Sequence, residues 1–484
     1  MPASTAACHA RPAPRLLALV CCFAFGLAQA GTVPIVVDSA EDSGPGSLRA
    51  AILQANANAA TPGQRISIEV PGSGVVLNLA SALPEIEALD LEIGAPASPG
   101  FTIDGGDTHA IIRAGTGSQR LLLADLHLRR GRAADGGCVR GSARSDAELQ
   151  VLRMRFSDCR AVGSGGAGGR GGAVFVAAGS LDLRESRFDN NRAEGSGSRG
   201  GGLFGSAPSL GVFEARFVGN NAADGAGIAV VGATVDLVFL TDVRLQSNAA
   251  AGSGRGGGLL VECAFCVTTL SRGYLGQNSA GSGGAIAARC LGASGVGPTL
   301  ALSNLTVERN QAQVRGGGLE LAQTEAELRH LTLQNNSAPQ GAHLAIVDSG
   351  NALGRVSNNV FGAVATGSGS ACSLVSGGPT PSQRTGNLFA DASCGNLASA
   401  GSASLPAGQV GSLDGTEPLI PVLVFPTGSP VIDGGSELAC LQEDARGAER
   451  PQDGNGDGSA LCDVGAYEHL PSPVIFRSGF EAGG

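Results

Sequence analysis

The chain has 484 residues, 77 of them Gly and none Trp, and all 32 of its basic residues are Arg, set against 42 acids. Only 15% of residues are charged, but 43% are hydrophobic, enough to bury a core and to exclude wholesale disorder. A pI near 5.2 and a net charge of −10 disfavour duplex nucleic acid as a partner, while Gly without a three-residue period and a chain without sustained heptads exclude collagen and coiled coil.

The chain opens on a targeting pattern. Arg11 and Arg15 precede an apolar run from Leu16 to Leu27, followed by Ala28-Gln29-Ala30. This reads as a signal segment cleaved after Ala30, with Gly31 as the mature N-terminus. The run is too short to span a bilayer, and Val20 before Cys21 and Cys21 before Cys22 argue against a lipid-anchoring site. Cleavage leaves 30 Arg against 42 acids. The expected location is extracellular or at the cell surface. Residues 31–125 follow as a cap and first turns. Within them Ser47 to Asn58 reads as a short helix: Ser47 is its N-cap, and Leu48, Ala51, Ile52 and Ala55 form its apolar face. Such a helix suits the open end of a solenoid, whose first turn otherwise presents unpaired edges.

From 126 to 360 one unit recurs. An apolar residue, two spacers and Asn lead into a polar Gly-rich loop, and a Gly-led apolar run follows. The instances are Phe188…Asn191, Phe217…Asn220, Leu245…Asn248, Leu275…Asn278, Val307…Asn310, Leu333…Asn336 and Val356…Asn359, with Cys159 in the Asn slot after Phe156. From Cys159 the steps are 32, 29, 28, 30, 32, 26 and 23 residues. Segments such as Leu181-Asp182-Leu183 alternate as half-buried strands do. A unit this small cannot close its own core and must stack on its neighbours. The expectation is an all-β fold, a right-handed parallel β-helix of ten or more turns, about 50 Å long. The Asn positions read as a structural ladder, because Asn tolerates left-handed corners and can bond its copies above and below. Looser final turns span 361–417, a compact capping module 418–470, and a tail 471–484.

Nine cysteines follow the signal segment. Cys372 with Cys394 and Cys440 with Cys462 each flank a loop of 22-residue spacing and are expected to form disulfides. Cys138, Cys159, Cys263, Cys266 and Cys290 are not paired by sequence, and the odd count leaves one over. The Cys263-x-x-Cys266 pattern reads as a disulfide or buried small residues before it reads as redox or zinc chemistry.

These segments carry a resemblance. The Gly-Gly-apolar and Phe-x-x-Asn repeat resembles that of the chlamydial polymorphic outer-membrane proteins and related bacterial surface β-helices. Ile35-Val36-Val37-Asp38, SGPGSLRAAILQANAN and Phe101-Thr102-Ile103-Asp104-Gly105-Gly106 resemble the leader of exported β-helix proteins with a "CSLREA" motif, with Gly46 for its Cys and Ala50 for its Glu. Residues 418–470 resemble the C-terminal module of the same proteins. The tail VIFRSGFEAGG is similar to one seen on exported gammaproteobacterial proteins. The resemblance implies an exported bacterial surface protein and specifies fold more than activity.

The chemistry-bearing residues are few. No adjacent Asp pair with Gly-His-Gly, no HExxH, no G-x-S-x-G elbow and no P-loop occurs. The reading is a non-catalytic binding, adhesin-like or structural surface module, expected to be a monomer. Its expected partner is a surface glycan or another cell-surface protein, with no nucleic acid and no transmembrane helix. The alternative is a polysaccharide lyase or glycosidase. Arg170, Arg199, Arg255 and Arg315 each precede the Gly run of their repeat and are expected to share one edge, either as solvated positions or as an anion-binding row. Asp453, Asn455 and Asp457, alternating with Gly454, Gly456 and Gly458, match the first positions of a calcium loop. Val464 stands where that loop needs a carboxylate, so Asp463 or Glu468 is expected to supply it for a structural Ca2+.

Overall fold

The computed structural model describes residues 31–470 apart from 59–63, 73, 95–99, 292–297, 349–351, 375–380, 382, 399–401 and 415–419. The expected signal segment and its cleavage site, and the tail from 471, lie outside the described residues.

The chain winds into a parallel β-solenoid of about 11 turns. Each residue pairs with its equivalent one turn away: Leu181 lies between Leu149 and Leu210, and Phe188 between Phe156 and Phe217. Three parallel sheets result. Sheet 1, of 22 strands, receives two segments from many turns; sheets 2 and 3 have 10 and 7 strands. Alternation places one face of each strand in a continuous core, where Phe156, Phe188 and Phe217 stack with ring centroids 4.6 and 4.3 Å apart.

The corners explain the repeat. In sheet 1 the two segments of a turn meet at a left-handed residue. Asp125, Arg153, Glu185, Glu214, Asp242, Arg272, Asn304, His330 and Asn358 all have φ between 49° and 58°. A second left-handed corner includes Asp158, Asn190, Ser247, Gln277 and Asn335, and the next residue is the repeat's Asn or, after Asp158, Cys159 in its slot. The third corner uses the first Gly of each Gly run. Gly200 has φ 68°, which an L side chain rarely adopts. A Cβ on Gly201 would meet the Asn221 carbonyl at 2.5 Å, so a second Gly is needed there too.

Asn191, Asn220, Asn248, Asn278, Asn310 and Asn336 are fully buried. Each of the first five donates from Nδ2 to Oδ1 of the next, at 2.9–3.0 Å. Each Oδ1 also accepts the backbone N–H of the preceding rung, as Asn248 does from Asn220 at 3.0 Å. Asn359 departs from the expectation. Its Oδ1 accepts from Leu331 N and its Nδ2 donates to Asn387 Oδ1, so it belongs to a different ladder, after the other corner. Both corners set a left-handed residue before an inward Asn, so they share one local signature. The 23-residue step marks the change of corner.

The helix Leu48–Ala57 forms as expected: Ser47 Oγ accepts from Ala50 N, and Leu48, Ala51, Ile52 and Ala55 are buried in the core. Gly46 has φ 74°, and a Cβ there would collide with the Asp38 carboxylate, so no side chain fits at that position. At the far end the short 3₁₀ helix Ala392–Leu397 places Cys394 and Leu397 in the core, tied to the solenoid by the Cys372–Cys394 disulfide.

The segment expected to close that end lies instead along the flank of the last turns. Glu443 pairs with Arg272 at 2.9 Å, the Glu443 carbonyl accepts from Asn304, and Asn358 holds Ser436. Phe425, Val431 and Val464 cover Val360 and Leu388 on the outer face of sheet 1. The module has apolar residues of its own, and an outward-facing apolar column gives them a place to be buried.

Candidate functional site

Arg170, Arg199, Arg255 and Arg315 do share one column, interleaved with Asp135, Asp224, Ser282 and Gln340. Each has a carboxylate. Arg170 grips Asp135 at 2.6 Å, Arg199 meets Glu262 at 3.3 Å, and Arg255 and Arg315 meet Glu320 at 3.5 and 2.9 Å. Glu262 and Glu320 are nearly buried and lie on sheet 2, where Arg289 also reaches Glu262. The row read as solvated positions or as an anion-binding strip is thus an ion-pair network in which Asp135, Glu262 and Glu320 serve its four arginines.

A second arginine stack escaped the sequence reading. Arg155, Arg187, Arg216 and Arg244 occupy one outward column of sheet 1 on four consecutive rungs. Each directly precedes the apolar residue of its repeat, Phe156, Phe188, Phe217 or Leu245, a signal present in the sequence. The neighbouring carboxylate is Asp189, which Arg187 meets at 2.6 Å and Arg155 at 3.5 Å. Arg244 donates to Gln246 Oε1 at 2.8 Å. Among the described residues no carboxylate pairs with Arg216. Burial and the guanidiniums of Arg244 and Arg187 hold it below the ordinary arginine range, with Asp189 opposing. Beside it lies a groove of about 340 Å³ lined by Glu185, Ser186, Arg187, Glu214 and Arg216. Glu185 and Glu214 come from the left-handed corner, two residues before Arg187 and Arg216.

The same column changes character further up. After Arg244 come Tyr274, Thr306, Thr332, Val360 and Leu388, all buried. Here the C-terminal module is docked. Arg450, its side chain fully buried, donates to His330 Nδ1 at 2.7 Å and to the carbonyls of Asp463 and Gly465, and pairs with Glu468 at 3.2 Å. Burial pushes Glu468 up to about 7. Burial and Arg450 drive His330 well below 6.5, so its neutral ring accepts from Arg450. Thr332 Oγ1 accepts from Ala466 N at 2.9 Å.

In the Asp-Gly loop, Asp453 accepts from the N–H groups of Gly456, Asp457 and Gly458, Asn455 from Asp457 N, and Asp457 from Ser459 N. Asp463 and Glu468 are not brought to it. Asp463 accepts from Asp433 N and His469, and Glu468 from Gln452 N and Asp463 N. Asp433 reaches the loop instead, accepting from Gly454 and Asn455 N–H. Among the described residues no three His, Cys, Asp or Glu side chains come together as metal ligands.

The disulfides are Cys138–Cys159, Cys263–Cys266, Cys372–Cys394 and Cys440–Cys462. The last two are those expected. Cys159 fills the Asn slot because its sulfur is bonded to Cys138, so the ladder begins one rung later. Cys290 is buried on the rung beside Cys263 and lies outside these four bonds.

Fold and surface define the class: a parallel β-solenoid stapled by disulfides, with an arginine-bearing outer face. No protein-family model matches the chain, and no curated protein matches it. Among the described residues no helix is long and apolar enough to cross a membrane.

Proposed function

We propose that this chain is an exported surface module that binds a partner along the outer face of its solenoid and performs no catalysis, in keeping with the bacterial surface β-helices its repeat resembles. The observation that carries this reading is the arginine column on sheet 1. It is a long, regular, charged strip on a rigid scaffold, left open where the C-terminal module ends. Disulfides suit an oxidising compartment, and the opening segment of the sequence suits export. The Asp453, Asn455 and Asp457 loop, joined by Asp433, belongs to this reading as a structural Ca2+ site on the strength of its spacing; a melting temperature that climbs and saturates with calcium supports it, and no shift at millimolar calcium removes it.

The alternative, a polysaccharide-degrading enzyme, draws on Glu185 and Glu214 beside the arginine groove. They sit on adjacent rungs of one wall, whereas a glycosidase needs two carboxyl groups facing each other across the sugar. A glycan-array screen of the purified chain, followed by analysis of bound glycans for shortened products, tests the proposal. Retained intact glycan supports it, and product formation overturns it.

A further inference from the structure

We propose that the Arg155, Arg187, Arg216 and Arg244 stack binds a linear acidic polysaccharide carrying one carboxylate on each sugar, laid along the solenoid axis. The inference rests on the binding-module reading above and adds the site and the ligand class.

The first argument is spacing. In-register residues on neighbouring parallel strands stand about 4.8 Å apart, so the column offers four guanidiniums over about 14 Å. A pyranose unit in an extended chain advances by close to one rung and the chain turns about its axis from unit to unit, so carboxylates return to the arginine side on every second or third rung, within the reach of the column. Guanidinium pairs with carboxylate through two parallel hydrogen bonds, which fixes orientation as well as charge.

The second argument is charge. Like charges directly opposite one another on adjacent strands are destabilising, and here a cation is repeated on four rungs. Asp189 serves Arg187 and Arg155 at one end. Arg216, between two arginines, forms no ion pair with a carboxylate among the described residues. An anion placed there relieves the repulsion, whereas on the edge of Arg170, Arg199, Arg255 and Arg315 the protein's own acids already do so.

The third argument is the mixed chemistry of the groove. Glu185, Glu214 and Ser186 flank Arg187 and Arg216. Carboxylates repel a bare polyanion but accept hydrogen bonds from hydroxyl groups. A sugar acid brings both groups: its carboxylate suits the arginines and its hydroxyls suit the glutamates. A polyphosphate brings charge alone.

The test is calorimetric titration of the full chain with oligogalacturonate, its methyl ester and inorganic polyphosphate at low and high salt. Binding should favour oligogalacturonate and weaken with salt. Arg187→Gln with Arg216→Gln should lower affinity by about tenfold or more, and Arg216→Lys, which keeps charge but loses the fork, by about threefold. Arg170→Gln with Arg255→Gln should change it by less than about twofold. Thermal melts of each variant separate lost binding from lost folding, and Arg216→Lys remains informative if the double variant unfolds. Equal binding of the methyl ester or of polyphosphate, or an unchanged double variant, overturns the inference. Binding to other glycans with none to oligogalacturonate overturns it while leaving the binding-module reading intact. Shortening of bound oligogalacturonate overturns that reading and keeps the site.

Discussion

The two halves of one outward column of sheet 1 are built on the same backbone and carry opposite chemistry. On the lower rungs it presents Arg155, Arg187, Arg216 and Arg244 to solvent; on the upper rungs Tyr274, Thr306, Thr332, Val360 and Leu388 are buried, the last three against the C-terminal module. The backbone register is continuous through both, so the strand geometry does not cause the difference. It follows from what covers each half. On the upper rungs apolar and hydroxyl side chains are buried; outside the module, charge can remain hydrated. The exposed half is thereby the half available to a partner.

The contrast depends on the module staying docked, and its buried ion pair is the most sensitive point. Arg450→Met leaves Glu468 without its partner and His330 without its donor. Removing one member of a buried pair costs about 3–5 kcal/mol. The expected outcome in denaturant melts and limited proteolysis is early release of residues 418–470, with the solenoid still folded. Unchanged protease resistance contradicts the docking account.

Acid should act next most strongly. His343 is fully buried against Asn336 and the Gly362 carbonyl, and burial lowers it to about 4. Its folded value lies below the ordinary 6.5, so its contribution is complete above pH 6.5 and is lost as pH falls toward 4. At most this is about 3 kcal/mol. His330 is shifted in the same direction, whereas Glu468 beside it, raised to about 7, contributes stability that grows as pH falls through 7, so the net weakening over this range is expected in the solenoid before the module. Stability measured from pH 7 to 4 checks this, and His343→Gln should flatten the curve.

Asn248→Ala removes a rung in the middle of the ladder and takes away the acceptor of the Asn220 N–H and of one Asn220 Nδ2 hydrogen and the donor to the Phe217 carbonyl, all in the core. A loss of about 2–3 kcal/mol is expected, read as a lower melting midpoint. No loss would mean the ladder is incidental to stability. The smallest effect has the opposite sign. Arg216→Gln relieves repulsion from Arg187 and Arg244 and should stabilise by about 0.5 kcal/mol at low salt, fading as salt screens the charges. A destabilised Arg216→Gln would show that the guanidinium has a structural partner.

The repeat is legible because every turn restates it. A Gly that must be left-handed, an Asn that bonds its own copy, and a hydrophobic residue that stacks on its copy all meet equivalents one turn away, so the local pattern contains its own tertiary context. The helix at Ser47 to Asn58 and the Cys372–Cys394 and Cys440–Cys462 bonds were legible for related reasons of spacing and composition. The arginine column was equally periodic, lying before Phe156, Phe188 and Phe217, but an arginine's role depends on its counter-charges. Sequence therefore determined the solenoid, its corners and its rungs. Tertiary structure decided which arginines were already paired with acids, because Glu262 and Glu320 reach them from other positions in the turn, across up to two turns. It also placed Asn359 on a different ladder, paired Cys138 with Cys159, turned Asp463 away from the Asp-Gly loop, and laid residues 420–470 along the flank. Each of these joins non-equivalent positions, whose separation is set by how the stack closes in three dimensions.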